Sequence, residues 1–351
     1  SWDYLRVISA LSNERWRFFY FQNKLKMLFR KNRFAGYKLN WKPSPADARD
    51  LRFSAMLSKR QVSAPPPPSA DVSLLIPEVF DQGSAGSCTG NMGAMQGLYR
   101  SRRQNREITP SRLMLYYGAR ELEGSTGSDD GAYIRDIFKA WAKVGVCPES
   151  LWAYDESKVT TRPSAQAYSE GQKTLAVAYR ALNNTILDEL KTCIALGEPF
   201  GFGFTVYNQF MYGSWSDTMP MPKQGEKILG GHAVTAVGYD DTRKAFRIKN
   251  SWGQDWKAGG YFWMPYTFIT DQDYCSDFWM LEEITPAITP TPTPGNITSI
   301  VDLKKVITSK ADFTCMKEAV IVRIGHEMGL NTDLSKSKSQ NIAIVLGGLG
   351  L

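Results

Sequence analysis

Histidine is the scarcest residue type, with two copies among the 351 residues of the chain. Its five cysteines lie far apart and form no CxxC pair; they are Cys88, Cys147, Cys193, Cys275 and Cys315. Zinc sites need His and Cys ligands at short, regular spacing, so this composition argues against one. We therefore expect no metal and no other cofactor. The odd number of cysteines leaves at least one thiol unpaired or intermolecular.

Long apolar runs and targeting signals are also missing. No apolar run approaches the roughly 20 residues that span a bilayer, so we expect no transmembrane segment. The opening stretch SWDYLRVISALSNERW has no basic start, apolar centre or small-residue cleavage site, so no signal peptide is visible. The chain begins with Ser and not Met, so the position of its natural N-terminus is undetermined. Localisation stays undetermined: the protein is cytoplasmic, or exported by a route that the sequence does not show.

The net charge of +7 is concentrated at one end of the chain. Residues 1–60 hold 14 Lys and Arg against 4 Asp and Glu, a balance of +10, so the remainder carries about −3. Because the excess belongs to one arm, it does not indicate a nucleic-acid partner, and we expect none.

Proline-rich stretches divide the chain. Four consecutive prolines at 65–68 must be extended, and the Thr/Pro stretch at 284–299 is typical of a semi-rigid linker. We therefore predict an N-terminal arm over 1–70, a main domain over 71–284, a linker over 285–299 and a small helical segment over 300–351.

Within the main domain, helical patterns come first and strand patterns follow. Apolar spacing predicts helices over 87–100, 111–122, 133–145 and 185–197. Short alternating runs predict strands over 198–207, 232–241, 245–253 and 259–266. Helices followed by antiparallel strands indicate an α+β fold with two packed lobes.

The stretch DQGSAGSCTGNMGAMQG, residues 81–97, places a cysteine after small residues and before a predicted helix. A thiol is a strong nucleophile only as thiolate, and the N-terminus of a helix lowers its pKa. Gln82 lies six residues before Cys88. A buried structural cysteine in an ordinary turn is the alternative interpretation.

A base for that thiol is available in GGHAVTAVGYDD, where His232 begins a predicted strand beside two glycines that would leave the imidazole accessible. Asn250 ends the next predicted strand, in FRIKNSWG. Two adjacent strands can bring these side chains together, so that the amide oxygen orients the imidazole. A buried core histidine and a turn asparagine are the alternatives.

These three motifs, in this order, resemble the papain-like cysteine peptidases. DQGSAGSC is similar to the family's glutamine–glycine–cysteine loop, GHAVTAVGYD to its histidine strand, and KNSWGQDWKAGGYFWM to its asparagine–tryptophan segment. The likeness covers about residues 75–283. It implies a two-lobed fold, with the cysteine on the central helix of a helical left lobe and an antiparallel, barrel-like right lobe.

The resemblance implies a role for each matching residue. Cys88 would attack the scissile carbonyl as thiolate, paired with His232 as imidazolium. Asn250 would orient His232, and Trp252 would shield that hydrogen bond from water. Gln82 and the backbone N–H of Cys88 would form the oxyanion hole.

Substrate contacts are also implied by the resemblance, at Gly131 with its neighbours Asp129 and Asp130, and at Gly231. The chain departs from the family pattern at two positions: Ala85 stands where secreted members have a disulfide cysteine, and Thr89 where tryptophan is usual. The absence of that disulfide cysteine suits a bacterial-type member.

The two flanks allow several interpretations. The run of aromatic and basic residues over 14–34 suits a membrane-surface helix, a nucleic-acid contact or a helix that packs on the domain. Because relatives carry a propeptide through the cleft, we favour an inhibitory arm of a zymogen. Residues 300–351 faintly resemble the first part of an acyl carrier domain, and a truncated domain of that kind is one interpretation.

The predicted function is a cysteine endopeptidase that acts on polypeptides through an acyl-enzyme. An acyl or peptidyl transferase would use the same triad, and a catalytically silent binding module is a third hypothesis.

Overall fold

The computed structural model describes residues 36–60, 64–285 and 338–349. They belong to two units, Ser1–Pro286 and Ala287–Leu351. The aromatic and basic run over 14–34, most of the predicted linker and most of the segment after it lie outside the described residues.

A group of helices forms one lobe of the first unit. Its central helix, α2 (Cys88–Arg103), is buried along most of its length. Gly90 and Gly93 allow close neighbours, because a Cβ at either position would overlap Tyr116 or Ile137. Around α2 lie α3 (Arg112–Glu123) and α4 (Ile134–Val144), with the short helix α5 (Ala165–Gly171) further along the chain.

Local sequence explains where these helices begin and end. The Ser111 hydroxyl caps α3 by accepting a hydrogen bond from the backbone N–H of Met114. Gly124, with φ of 70°, ends the same helix in the left-handed conformation. Gly145 similarly ends α4 with φ of 75°.

The other lobe is built on one antiparallel seven-stranded sheet. Its strands are β1 (Ser69–Asp71), β2 (Ala176–Ala181), β3 (Phe200–Tyr207), β4 (Ile228–Asp240), β5 (Ala245–Lys249), β6 (Tyr261–Pro265) and β7 (Cys275–Ile284). The order across the sheet is β2-β7-β3-β4-β5-β6, and β1 pairs with β4. The helices α6 (Leu187–Ala195), α7 (Asn208–Tyr212) and α8 (Tyr266–Ile269) lie between these strands in the chain.

The α+β fold predicted from the sequence is confirmed, with the four predicted helices and four predicted strands each present. Three strands were missed. β7 matters most, because it pairs with β3 in the middle of the sheet and joins the two lobes through its contacts with α2.

The described part of the N-terminal arm packs on the first unit. Helix α1 (Phe53–Lys59) inserts Phe53 and Met56 into the apolar core of the sheet lobe. Further along, the Tyr239 hydroxyl donates to the backbone oxygen of Pro67. Residue 70, the predicted end of the arm, lies inside β1. These contacts tie the segment before the main domain to its core.

In the second unit, the described residues form helix α9 (Lys338–Leu349), within the segment predicted to be helical. Across the described residues of both units, no helix has the length and apolar character needed to cross a membrane.

Candidate active site

Cys88 is the first residue of α2 and is fully buried. The side chain of Asn91, one turn further along, donates to the backbone oxygen of Ser87 at 3.0 Å and so fastens the turn before the helix. The backbone N–H groups of Thr89 and Ala233 lie against the thiol. The contact with Ala233 brings the sulfur beside the residue that follows His232 on β4.

His232 and Asn250 meet across neighbouring strands, as the sequence predicted. His232 lies on β4, and Asn250 directly follows β5, the next strand in the sheet. The imidazole Nε2 and the Asn250 side-chain oxygen are 2.7 Å apart. The same oxygen accepts the backbone N–H of Ser251 at 2.9 Å, which holds the amide in place.

This pairing determines which ring nitrogen of His232 can act as a base. An amide oxygen only accepts hydrogen bonds, so Nε2 must carry the proton. The other nitrogen, Nδ1, is buried and has no hydrogen-bond partner among the described residues. Its lone pair is therefore free to accept a proton from a donor in the cleft.

Aromatic rings enclose the imidazole. Trp252 stacks on His232 with ring centroids 4.8 Å apart, and Phe204 meets it edge-on at 5.8 Å. The prediction that flanking glycines leave the imidazole accessible is wrong: His232 is fully buried. The physical reason is that these rings pack on the imidazole, while Trp41 packs on the neighbouring Gly231.

Gln82 is held beside the helix that begins with Cys88. Its side-chain oxygen accepts the Ser251 hydroxyl at 2.8 Å, and its amide nitrogen donates to the backbone oxygen of Ala85 at 3.0 Å. An amide nitrogen carries two N–H groups, so a second donor remains for a ligand. Through Ser251, the Gln82 loop is also linked to Asn250.

Burial makes the neutral forms of both reactive groups the stable ones. It raises the pKa of the Cys88 thiol to about 11, although nearby backbone N–H groups oppose the rise. Burial also lowers the pKa of His232 to about 4, against the effect of its hydrogen bond to Asn250. A thiolate–imidazolium pair needs the opposite shifts, so the covered site holds thiol and neutral imidazole.

Residues 37–41, part of the N-terminal arm, cover Cys88 and His232. The backbone N–H of Trp41 donates to the oxygen of Gly231 at 3.0 Å, and the N–H of Gly231 donates to the oxygen of Leu39 at 3.1 Å. Across the cleft, Asn40 fills the space beside Gly131, where a Cβ would overlap its backbone oxygen. The segment thus lies between the two glycines predicted to contact substrate. Tyr37 continues it over Trp252, with ring centroids 5.0 Å apart.

Asp129 and Asp130, which the sequence placed together, have different surroundings. The Asp129 carboxylate accepts the backbone N–H of Gly86 at 3.0 Å, the Tyr116 hydroxyl at 2.7 Å and the ammonium of Lys38 at 2.7 Å. It therefore joins the loop before Cys88 to the arm. Asp130 is exposed, and its carboxylate accepts the Ser128 hydroxyl.

Sequence reasoning missed Arg112, which supports the loop that carries Gln82. Its guanidinium pairs with Glu149 at 2.7 Å, donates to the backbone oxygen of Asp81 at 3.2 Å and lies over the ring of Tyr154. The Tyr154 hydroxyl in turn donates to the backbone oxygen of Gln82 at 2.7 Å. No local motif marks Arg112, because its partners come from two distant parts of the chain, the loop at Asp81 and the segment from Glu149 to Tyr154.

The sequence was compared with models of known protein families. The model of the papain family of cysteine proteases matches residues 67–275, more than half of the chain. The chain belongs to the papain family of cysteine proteases. This confirms the resemblance that the three motifs indicated, and it agrees with the antiparallel sheet packed against helices.

Similar proteins occur in several kinds of organism. An uncharacterized peptidase C1-like protein of Acanthamoeba polyphaga mimivirus is 40% identical over 229 residues, which cover 62% of this papain-family chain and 74% of the viral protein. Cathepsin B-like CP3 of Giardia intestinalis is 28% identical over 205 residues, covering 53% of this chain and 64% of its own.

Among solved structures, xylellain, a cysteine protease from Xylella fastidiosa, is 37% identical with a TM-score of 0.64. The match covers 70% of this chain and 95% of xylellain. Procathepsin B from Trypanosoma congolense, 17% identical with a TM-score of 0.56, shares the fold; the match covers 71% of this chain and 87% of that one.

Proposed function

We propose that the chain is a cysteine endopeptidase in which the Cys88 thiolate attacks the scissile carbonyl and the His232 imidazolium protonates the leaving amine. The observation that carries this proposal is the fixed tautomer of His232. With Nε2 bound to Asn250, the free Nδ1 is the nitrogen available to take the thiol proton and later to deliver it. The amine then departs, the acyl group stays on the Cys88 sulfur as an acyl-enzyme, and water hydrolyses this intermediate.

The same proposal assigns stabilisation of the oxyanion to Gln82 and to the backbone N–H of Cys88. The carbonyl oxygen gains negative charge when the thiolate adds, so fixed N–H donors favour that state over the substrate. The links from Gln82 to Ser251 and Tyr154 support this role, because they hold the amide rigid before substrate arrives. Loss of one such donor typically lowers the rate by ~10²–10³-fold.

The proposal includes the N-terminal arm as an inhibitor in cis, so that the full chain is a zymogen. Residues 39–41 occupy both backbone hydrogen-bonding groups of Gly231, which an extended peptide substrate would otherwise use. The arm also buries Trp41 in the cluster that contains Cys88. Displacing it would return water to the site, and solvation favours the ion pair that catalysis needs.

The test compares hydrolysis of a fluorogenic peptide panel by the full chain, by Trp41→Ala and by each of these with Cys88→Ala, under reducing conditions from pH 5 to 8. We expect Trp41→Ala to hydrolyse peptides and Cys88→Ala to abolish the activity. Cys147→Ala, at another buried free thiol, serves as the matched control. Activity that survives Cys88→Ala would refute the thiol mechanism.

Mass spectrometry of the products in the presence of an added amine separates hydrolysis from transfer. Hydrolysis yields the free carboxylic acid, whereas a transferase joins the acyl group to the amine. A product dominated by the new amide would replace the peptidase proposal with the transferase.

A further inference from the structure

The carboxylate of Asp129 and the hydroxyl of Tyr116 form a largely buried hydrogen-bond network beside the loop that carries Gln82. The hydroxyl donates to Oδ1 of Asp129 at 2.7 Å and accepts the backbone N–H of Gly131 at 3.0 Å. The carboxylate also accepts the backbone N–H of Gly86, through Oδ2 at 3.0 Å and through Oδ1 at 3.1 Å. None of these residues belongs to the N-terminal arm, so the network remains when the arm leaves.

The peptide unit between Ala85 and Gly86 links this network to Gln82. Its N–H is the group bound by Asp129, and its oxygen accepts the side-chain N–H of Gln82 at 3.0 Å. A trans peptide unit is planar, so its N–H and its C=O point in opposite directions and turn together. Because Asp129 fixes the N–H, it also fixes the direction of the oxygen that Gln82 contacts.

That contact determines where the second side-chain N–H of Gln82 points. The two N–H groups of an amide lie in one plane at a fixed angle, so a hydrogen bond on one of them orients the other. The Ser251 hydroxyl holds the oxygen of the same amide at 2.8 Å. A carboxylate that accepts the N–H of a peptide also polarises that peptide and strengthens the hydrogen bond to its oxygen. The orientation of Gln82 therefore depends on a carboxylate that it does not contact.

Hydrogen bonds, and no disulfide, fix this peptide unit. The four cysteines among the described residues are free thiols, and Ala85 has none. Gly83, with φ of 57°, leaves the loop backbone more conformational freedom than other residues would. Glycine at position 86 permits the close approach of Asp129, because a Cβ there would lie 3.1 Å from Oδ1 of the carboxylate.

We propose that Asp129, supported by Tyr116, is a positioning residue that orients the free N–H of Gln82 into the oxyanion site through the Ala85–Gly86 peptide. It acts through another residue and needs no contact with the substrate. The inference rests on the proposed peptidase function, since it explains how the oxyanion donor of that reaction is held.

A double-mutant cycle in the Trp41→Ala full chain tests this role. Asp129→Asn should lower kcat for a fluorogenic peptide about tenfold, the loss of one hydrogen bond to a charged group, with a smaller change in KM. In Gln82→Ala, which has no amide to orient, the same substitution should change kcat by less than about twofold. Equal effects in the two backgrounds, or none in either, would overturn the inference and leave the peptidase function standing.

Two control variants separate this role from other effects of removing a charge. Asp241→Asn removes a carboxylate that, like Asp129, accepts a lysine ammonium and a tyrosine hydroxyl, those of Lys191 and Tyr266. Lys38→Met removes the ion pair between the arm and Asp129. Both should leave kcat unchanged in the same background. A fall with Lys38→Met as large as that with Asp129→Asn would assign the effect to the arm and contradict the inference.

Tyr116→Phe provides a second test, because it removes the hydroxyl and keeps the ring. It should lower kcat by about 2- to 10-fold, the loss of one neutral hydrogen bond, and should have no such effect in Gln82→Ala. Tyr99→Phe removes another buried hydroxyl, which donates to the backbone oxygen of Gly197, and should leave kcat unchanged. Equal losses in the two tyrosine variants would indicate general destabilisation and contradict the inference.

Alkylation of Cys88 by iodoacetamide distinguishes the orientation of Gln82 from an effect on the nucleophile, because this reaction forms no oxyanion. Burial and, less strongly, the charge of Asp129 raise the pKa of the Cys88 thiol. We therefore expect Asp129→Asn to be alkylated at the rate of its Trp41→Ala parent or faster, while its kcat falls. Alkylation that slows as much as kcat would show that Asp129 acts on Cys88, which would overturn the inference. A parent that is alkylated readily but cleaves no peptide would overturn the peptidase function and the inference with it.

Discussion

Replacing Trp41 by alanine tests the arm as an inhibitor most directly. The indole is 7% exposed, packs with Cys88 in one apolar cluster and donates to Asp277. Removing a buried Phe or Trp side chain typically costs about 3–5 kcal/mol. If this cost falls on the docking of the arm, the ratio of open to closed molecules rises by about 10²- to 4 × 10³-fold.

The assay is the rate at which iodoacetamide alkylates Cys88, followed by mass spectrometry under native conditions. We expect Trp41→Ala to react at least about 100-fold faster than the unmodified chain, from the lower end of that cost. Lys42→Ala, at the exposed neighbouring residue, is the control and should react at the unmodified rate. Thermal melting of each variant separates opening of the arm from loss of the fold.

Two results would refute the reasoning. The first is a Trp41→Ala chain whose Cys88 reacts as slowly as that of the unmodified chain, with its melting temperature unchanged. The second is an unmodified chain that already reacts at the rate of an exposed thiol. Either result would mean that residues 37–41 do not protect the thiol in solution.

Two more predictions follow from His232. Asn250→Ala removes the acceptor for Nε2, and loss of that hydrogen bond should lower kcat about tenfold with a smaller change in KM. Steady-state hydrolysis in the Trp41→Ala background measures both constants. An unchanged kcat would show that Asn250 does not orient the imidazole. Because burial lowers the pKa of His232 from 6.5 to about 4, the unfolded chain binds more protons in that range, so stability should fall as pH drops from 6.5 to 4. The contribution is of order 3 kcal/mol, and denaturant unfolding should show it in the unmodified chain but not in His232→Asn; identical pH dependence in the two would contradict it.

Several parts of the candidate site could be read from short stretches of sequence. Cys88 lies at the start of its helix, one residue after the predicted first position, since small residues ahead of an apolar periodic run are a local signal. His232 and Asn250 meet because each belongs to an alternating strand pattern and the strands are consecutive. The predictions for Cys88, His232 and Asn250 each depended on residues close to them in the chain.

The contact between Trp41 of the arm and Asp277 of β7 could not be predicted in the same way. Trp41 and Asp277 are 236 residues apart and meet through contacts that no local pattern records. β7 was not predicted at all, and Asp277 lies in a β-bulge that exists only because β7 pairs with β3. The same limit applies to Arg112, whose partners come from distant segments.

The amino-acid sequence by itself determined the α+β fold class, the order of the helices and most strands, and the identity of the cysteine, histidine, asparagine and glutamine in the cleft. Those features follow from local periodicity and from motifs a few residues long. The tertiary structure alone decided that residues 37–41 cover the cleft, that His232 is buried and that Asp277 meets Trp41. Each of these depends on surfaces brought together by burial of apolar area, which is a property of the whole folded unit and not of any one segment.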